Sequence, residues 1–363
     1  MPKNLRAAVL TVVAGTAILG STLVSTSPAL AIGPCPTLVQ GTDFTTFSDL
    51  QTLLTDKRFC DEGSMTVDFT SDFSWTDDNV IIWDGQDHQP LVLRGTGPNT
   101  PTITGYKAAV IENHSDGGLS VSNLTIKKGD VGSDNAIFGS NGNVALNNTT
   151  VLGRVGEDNG RAIRAGNGDV SITNSTIQDN ETGAGAGISV GGAHSVIVTD
   201  STISNNQATF QGGGGIYAET GTVTILNSTI SGNSAAPFGS GGGVYMSGAG
   251  SVVVTNSTIS GNSAAGGGGG VDTFGSITAT NSTITGNSAT ESAAKGGGLL
   301  GRGSAWNFKF TTIVDNTAGT GGGNNIADDS GSTAFTSIGS VIAATGQSSC
   351  TGVTPDATST YNA

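Results

Sequence analysis

One short phrase recurs along most of this 363-residue chain, and it constrains the fold more than any other feature. The phrase reads NSTI at residues 174, 227, 256 and 281, and related forms begin at residues 123, 148, 200 and 310. Successive copies start 25 to 29 residues apart. A short period built from Gly, Ser, Thr, Asn, Val and Ile, with few helix formers, indicates stacked β-coils.

Apolar residues within each repeat alternate with Ser and Thr, which predicts strands with one buried face. The alternation yields three apolar columns that align between repeats. A pair such as Val223 and Ile225 precedes the phrase, Ile230 ends it, and Val244 follows the next glycine run. Three short strands per repeat form one coil of a parallel β-helix, whose core is buried only when coils stack. We predict an all-β, single-stranded parallel β-helix (solenoid), with one coil for each of the eight phrases.

A column of asparagines supports this prediction. The residue three positions after the phrase-ending Ile is Asn in six repeats: Asn180, Asn206, Asn233, Asn262, Asn287 and Asn316. A buried amide without partners is costly, whereas stacked amides can bond to one another in a ladder. We therefore expect these side chains to stack at one turn of the solenoid. The glycine runs fit tight turns where a Cβ would clash or φ is positive.

The N-terminal part of the chain supplies a cover for the open end of the solenoid. Residues 48–60, SDLQTLLTDKRFC, predict a short capping helix with one leucine-rich face. Ser48 and Gln51 are the expected capping box. Such a cover protects strand edges that would otherwise invite aggregation.

These patterns divide the chain into four parts. We expect a signal peptide at 1–31, a cap with irregular first coils at 32–104, the β-helix at 105–345, and a polar C-terminal tail at 346–363. The first coils should contain strands near 65–70, 79–83, 90–93 and 101–104.

The first residues resemble an export signal. Lys3 and Arg6 precede an apolar run at 7–19, and Ala29-Leu30-Ala31 fits a cleavage site, so the mature chain should begin at Ile32. We expect a secreted, extracellular protein, and we expect no membrane span because the apolar run is short.

Charge and cysteine content limit the partners and the disulfides that the protein can have. The chain has 28 acidic and 14 basic residues, a net charge of −14, which argues against nucleic acid as a partner. In an oxidising compartment Cys35 and Cys60 should form a disulfide, because they flank one small segment. Cys350 would then remain outside this disulfide.

The repeats resemble a known family. GGGI at 213–216 followed by ISGN at 230–233 is similar to the GGA-[ILV] and FxxN repeats of the chlamydial polymorphic outer membrane proteins. The chain also resembles the secreted right-handed parallel β-helix proteins of bacteria. The resemblance covers roughly residues 105–345 and implies right-handed coiling. For the chlamydial members it also implies surface adhesion.

An outward row offers a candidate binding site. The residue after the third apolar column should point outward, and in successive coils it includes Phe138, Arg164, Tyr217, Tyr245 and Asp272. Aromatic rings in such a row can stack on sugar faces while polar groups meet the hydroxyls. The leading hypothesis is a noncatalytic, adhesin-like protein that binds extracellular or cell-surface polysaccharide. The alternative is that the rings merely lie under neighbouring turns.

Catalysis is the second hypothesis. The resemblance to β-helical polysaccharide lyases implies acidic residues that hold Ca²⁺ against a uronate and a base that removes a proton. Arg164, Asp158 and Asp179 are the candidate set, with Ca²⁺ as the only cofactor considered. A glycoside hydrolase is weaker, because the NTD, GHG and RIK motifs of polygalacturonases are missing. The three histidines are isolated in sequence, so no other metal site is predicted.

Ice binding is a minor third hypothesis. Thr precedes the phrase-ending Ile in nearly every repeat, and these threonines should stack into an outward column. A flat grid with two such columns would suit ice. The residue on the other side of the phrase varies, as in Thr173, Leu226 and Lys309, and the varying repeat length is expected to spoil the register.

Overall fold

Each repeat forms one coil, and each coil contributes one strand to each of several parallel sheets. The computed structural model describes residues 34–57, 60, 62–85, 88–106, 109–129, 135–153, 160–303, 306–320, 322–330, 333–343 and 349–355. About eleven coils are present in this part of the chain. The predicted parallel β-helix is confirmed. The predicted signal peptide lies outside the described residues.

The sheets are numbered in the order in which a coil reaches them. Over the described residues the first sheet has thirteen strands, which are Thr37–Val39, Met65–Phe69, Leu91–Gly95, Leu119–Ser122, Val144–Asn147, Val170–Thr173, Val196–Thr199, Gly221–Leu226, Gly250–Thr255, Ser276–Thr280, Trp306–Lys309, Thr333–Ile338 and Val353–Pro355. The second sheet has eleven, which are Phe73–Ser74, Thr102–Thr104, Thr125–Lys127, Thr150–Leu152, Thr176–Gln178, Thr202–Ser204, Thr229–Ser231, Thr258–Ser260, Thr283–Thr285, Thr312–Val314 and Val341–Ala343.

Two further sheets complete the coils, again counted over the described residues. The third sheet is short, with Glu181–Thr182, Gln207–Ala208, Ser234–Ala235, Ser263–Ala264 and Ser288–Ala289. The fourth sheet has eleven strands, which are Ile81–Trp83, Ile111–Asn113, Ile137–Gly139, Ile163–Ala165, Ile188–Val190, Ile216–Ala218, Val244–Met246, Val271–Thr273, Leu299–Gly301, Ile326–Asp328 and Cys350–Thr351. The three apolar columns lie in the first, second and fourth sheets and form one continuous buried core.

The recurring phrase has a separate physical role for each of its residues. In the copy at 227–230, Asn227 turns the corner with a φ of 50°, a left-handed conformation that Asn tolerates better than most residues. Ser228 is buried; its Oγ donates to Leu226 O at 2.7 Å and accepts from Ser201 N at 3.1 Å. Thr229 faces outward, and Ile230 is fully buried.

The predicted asparagine ladder is present. Asn206 Nδ2 donates to Asn233 Oδ1 at 2.9 Å, and Asn233 Nδ2 donates to Asn262 Oδ1 at 3.0 Å. Each of these Oδ1 atoms also accepts the backbone N–H of the preceding asparagine. The ladder continues one step beyond the predicted column, from Asn316 to Asn325 at 2.8 Å. From Asn206 onward the buried column costs little, because each amide oxygen accepts from the preceding asparagine, whereas the Oδ1 of Asn180, the first member, accepts no hydrogen bond within the described residues.

The capping helix spans Phe47–Lys57, and its capping box differs from the predicted one. Thr46 Oγ1 accepts from Asp49 N at 3.2 Å, and Asp49 Oδ2 accepts from Thr46 N at 3.0 Å. The Ser48–Gln51 capping box is therefore wrong, because the N-cap is Thr46, two residues before Ser48. Gln51 instead exchanges hydrogen bonds of 3.2 and 3.1 Å with the backbone of Ile82, in the first strand of the fourth sheet. The helix thereby covers that strand edge, as expected.

The remaining predictions for the two ends are partly confirmed. Cys35 and Cys60 form a disulfide with their Cα atoms 4.9 Å apart. The strands Cys350–Thr351 and Val353–Pro355 pair with the preceding coil, so the solenoid extends into the segment expected to be a tail. In the described part of the chain, no helix has the length and apolar character that crossing a membrane requires.

Candidate functional site

The predicted outward row lies along the fourth sheet. Ten of its eleven described strands are three residues long, and the predicted row is formed by their middle residues. Phe138, Arg164, Ser189, Tyr217, Tyr245 and Asp272 are neighbours in register on six successive strands. All five predicted ligand-binding residues therefore belong to one row, with Ser189 between Arg164 and Tyr217.

Phe138 and Arg164 form one end of this row. The Arg164 side chain is exposed, and its guanidinium carbon lies 5.6 Å from the centre of the Phe138 ring. This distance is within the range of a cation–π contact. On the other side of Phe138, the ring of His114 lies 6.4 Å away. The arginine is thus held beside an aromatic face with its donors open to solvent.

Tyr217 and Tyr245 form the aromatic centre of the row. Their ring centres lie 5.8 Å apart with an interplanar angle of 56°. The Tyr217 hydroxyl lies 3.2 Å from the Ser247 hydroxyl. Burial raises the pKa of Tyr245, and the nearby Asp272 carboxylate raises it further. Both rings are partly buried and keep part of their surface open.

Glycine loops form the wall beside the tyrosines. Gly213 and Gly241 have φ values of 77° and 64°. A Cβ at Gly213 would stand 2.8 Å from the Cβ of Tyr217, and one at Gly241 would stand 2.7 Å from that of Tyr245. Only glycine permits this combination of positive φ and close approach. The expectation that the glycine runs make tight turns is confirmed at these positions.

Two adjoining clefts open over the row. One has a volume of about 330 Å³ and lies between Tyr217, Tyr245 and the loop residues Phe210 and Phe238. The other has a volume of about 230 Å³; its lining includes Arg161, Arg164, Ser189 and Glu219. Both are lined by Gln211 and Tyr217, so they adjoin each other. We call the two clefts together the groove.

The groove has an aromatic end and a charged end. At the aromatic end, Phe210 and Phe238 are 65% and 72% exposed, which is unusual for phenylalanine. At the charged end, Arg164 and Glu219 line the same cleft, and Glu219 Oε2 accepts a 2.8 Å hydrogen bond from Gly192 N. An apolar surface with a few placed polar groups is typical of a small-molecule or sugar site.

Asp272 lies in the predicted row but not at the surface, so its expected outward exposure is wrong. Its side chain is fully buried, and Oδ1 accepts a 2.6 Å hydrogen bond from Arg302 Nη1. The loop before its strand lies against it, because a Cβ at Gly268 would stand 2.6 Å from the Asp272 Cβ, and the same loop bridges to Lys295 at Gly267. Burial raises the pKa of Asp272 to about 6, against the lowering effect of Arg302.

The candidate lyase set is only partly described. Arg164 lies in the groove, but Asp179 follows Thr176–Gln178 in the second sheet, where its Oδ2 accepts from Gln178 Nε2 at 3.1 Å. Asp158 lies outside the described residues. Arg164 lies in the fourth sheet and Asp179 at the corner after the second, so sequence proximity does not place them together. Among the residues that the structure describes, no group of three or more His, Cys, Asp or Glu side chains is arranged to hold a metal.

Several residues of the groove were not predicted from the sequence. Phe210, Gln211 and Phe238 lie in loops of variable length between the third and fourth sheets. Such loops have no fixed offset from the repeated phrase, so no column aligns them. The available signal was compositional: two phenylalanines in loops otherwise rich in Gly, Ser and Ala.

Among known proteins, the chain matches one family model. The family model described as "Right handed beta helix region" matches residues 107–289 and, in an overlapping second match, residues 162–342. Together these matches extend over well more than half of the chain. No curated protein and no solved structure matches it.

Proposed function

The chain belongs to the right-handed β-helix family, and from this premise we propose that it is a noncatalytic protein that binds an extracellular or cell-surface polysaccharide in the groove. The observation that carries the proposal is the cluster of four aromatic side chains around one cleft. Tyr217 and Tyr245 form its floor, and the exposed Phe210 and Phe238 lie at its rim.

Sugar rings suit such a surface for a physical reason. Their faces carry C–H groups that pack on aromatic rings, and their edges carry hydroxyls that need hydrogen-bond partners. Tyr217 and Tyr245 present both a ring and a hydroxyl, and Ser240 and Ser247 line the same cleft. Exposed phenylalanines are costly in water unless a ligand covers them.

The charged end favours a ligand with hydroxyl or carboxylate groups. Arg164 offers several donors in a planar arrangement, which matches carboxylates and vicinal hydroxyls. Glu219 lies across the same cleft and can accept hydrogen bonds from hydroxyls. The ligand is therefore expected to be a neutral or uronate-containing polymer. The signal-like residues 1–31 support an extracellular encounter with it.

A Ca²⁺-assisted polysaccharide lyase is the second candidate function, and it uses the same groove. The observation in its favour is the exposed guanidinium of Arg164 beside the cleft. Both candidates require a polysaccharide in contact with Arg164, but only the lyase changes the polymer.

One experiment separates the two. The mature protein, residues 32–363, is incubated with neutral and uronate polysaccharides with Ca²⁺ or with a chelator. Bound protein is measured by co-sedimentation, and cleavage by the ultraviolet absorbance of unsaturated products. We expect binding without product, and chelation should not change it. Product that disappears with chelator and in Arg164→Ala would establish the lyase instead. Absence of both binding and product across the panel would overturn the proposal.

A further inference from the structure

The outer face of the second sheet carries an unbroken column of threonines. Nine successive strands place Thr at the same register position: Thr102, Thr125, Thr150, Thr176, Thr202, Thr229, Thr258, Thr283 and Thr312. The expectation that variable repeat length spoils this register is wrong. Extra residues are placed in other loops, as in 236–243 against 265–270, while the corner before each threonine from Thr125 to Thr312 is two residues long; the corner before Thr102 has six.

A second hydroxyl column runs beside the first. The residue two positions after the threonine is Ser204, Ser231, Ser260 or Thr285 on four successive strands, again in register. Sequence reasoning overlooked this column because it compared the threonines with Thr173 and its equivalents, which lie across the corner in the first sheet. With Thr202, Thr229, Thr258 and Thr283, these residues form a grid of eight hydroxyls. We call this grid the hydroxyl face.

The hydroxyls of this face have no hydrogen-bond partner within the described residues. Neighbouring hydroxyls on the same coils do have hydrogen-bond partners. Ser228 and Ser257 turn inward and bond to the backbone at 2.7 Å, and on the first sheet Thr222 and Ser251 bond to each other at 3.1 Å. All eight side chains of the hydroxyl face are partly exposed. Their hydrogen bonds must therefore be made to water or to a ligand.

The geometry of the face repeats in two directions. Adjacent strands place hydroxyls roughly 4.8 Å apart, and positions i and i+2 along a strand are separated by roughly 6.6 Å. The eight positions include neither charged nor aromatic residues. Single exposed hydroxyls bind weakly, so such a face gains affinity only from a ligand with a matching lattice. The threonine methyl groups add small apolar contacts between the hydroxyls.

We propose that the hydroxyl face binds ice. Ice is a regular array of water molecules with donors and acceptors in fixed positions, and it offers no charge or aromatic ring to recognise. An ordered set of unpartnered hydroxyls and methyl groups can hold water molecules in a similar array. The face lies on the second sheet, and the groove lies on the fourth, so the two sites are independent.

The test uses the mature protein in two ice assays. Protein is partitioned into slowly growing ice, and inhibition of ice recrystallisation is followed by microscopy. Thr258→Lys interrupts the centre of the face, and Thr278→Lys is the matched control on the first sheet of the next coil, where the side chain is also partly exposed. Thermal unfolding checks that both variants keep the fold.

We expect the wild type and Thr278→Lys to enter ice and inhibit recrystallisation, and Thr258→Lys to lose both activities. Tyr217→Ala should keep both activities, which separates this proposal from the groove. Exclusion of the wild type from ice would overturn the proposal. An equal loss of both activities in Thr258→Lys and Thr278→Lys would also overturn it. So would a result in which the face binds crystalline polysaccharide, but not ice, and Thr258→Lys abolishes that binding.

Discussion

The buried Asp272 and the partly exposed Arg302 form an ion pair that joins neighbouring coils, on the strand next to that of Tyr245. Asp272 Oδ1 lies 2.6 Å from Arg302 Nη1, and Arg302 follows the next strand of the fourth sheet. Arg302 also lies 3.5 Å from Asp329, which in turn bonds to Lys295 at 2.8 Å. The carboxylate next to Tyr245 is therefore linked through Arg302 to the two following coils.

This pair predicts a pH dependence of stability. The pKa of Asp272 is about 6 in the folded protein against an ordinary value of 3.8, so the folded state binds this proton more tightly than the unfolded state. The contribution to stability is present below pH 3.8 and is lost as pH rises through 6. We expect the free energy of unfolding of the wild type, relative to Asp272→Asn, to fall by on the order of 2 kcal/mol between pH 4 and pH 7.

Urea unfolding of both proteins across this pH range measures the difference. Subtracting the free energy of unfolding of the variant from that of the wild type removes the pH-dependent contributions of the other nearby groups, which are common to both proteins. A difference that stays constant with pH would contradict the raised pKa of Asp272.

The asparagine ladder predicts a large cost for a single deletion. Asn233→Ala removes the acceptor for both the backbone N–H and the side chain of Asn206 and the donor to Asn262. Buried groups left without partners cost about 1–3 kcal/mol each, so we expect a loss of about 3 kcal/mol in the free energy of unfolding. Denaturant unfolding measures it. Asn167→Ala, on an exposed loop, is the control and should change stability by less than about 0.5 kcal/mol. Equal effects in both variants would show that the ladder contributes little.

The disulfide should stabilise the N-terminal cap. Cys35 and Cys60 are separated by 25 residues, and closing a loop of this length stabilises by about 3.5 kcal/mol on the chain-entropy model. We expect the Cys35→Ser, Cys60→Ser double variant to expose the capping helix to proteolysis at lower denaturant than the wild type. Cys350→Ser serves as the control, because that thiol is not in the disulfide. Unchanged protease resistance in the double variant would argue against a stabilising role.

Arg164 should determine the preference for acidic polymers. Its exposed guanidinium makes stronger, charge-assisted hydrogen bonds with a carboxylate than with hydroxyls, so Arg164→Ala is expected to weaken binding to uronate polymers by about three- to tenfold. Binding to neutral polymers should change little. Affinity electrophoresis in gels with each polymer measures both. Lys309→Ala removes an exposed charge at the end of a first-sheet strand and should have no effect. An equal change for neutral and acidic polymers would contradict this assignment.

The sequence predicted the parts of the fold that repeat. The apolar columns, the asparagine ladder and the outward row all have constant offsets from the NSTI phrase, so each can be aligned without a structure. Ile230 and Asn233 are buried as their positions predicted, and the Asn262 contact follows from the same register.

The parts that do not repeat could not be predicted. Asp272 has the same offset as Tyr245, yet it is buried, with the Gly268 loop against its Cβ and the Arg302 side chain bonded to its carboxylate. Phe210 and Phe238 reach the groove from loops whose length differs between coils. Their position depends on three-dimensional packing, which a one-dimensional period does not encode.

The most direct test of the account is the affinity of the Tyr217→Ala, Tyr245→Ala double variant for the polysaccharide that binds the wild type most tightly. The control is Tyr106→Ala, which removes an exposed tyrosine that does not line the groove. Isothermal titration is made on all three proteins after thermal unfolding confirms their fold. We predict at least a tenfold loss in the double variant, since two stacked rings contribute about 1 kcal/mol or more each, and no change in the control. Unchanged affinity in the double variant would contradict the assignment of the groove as the binding site.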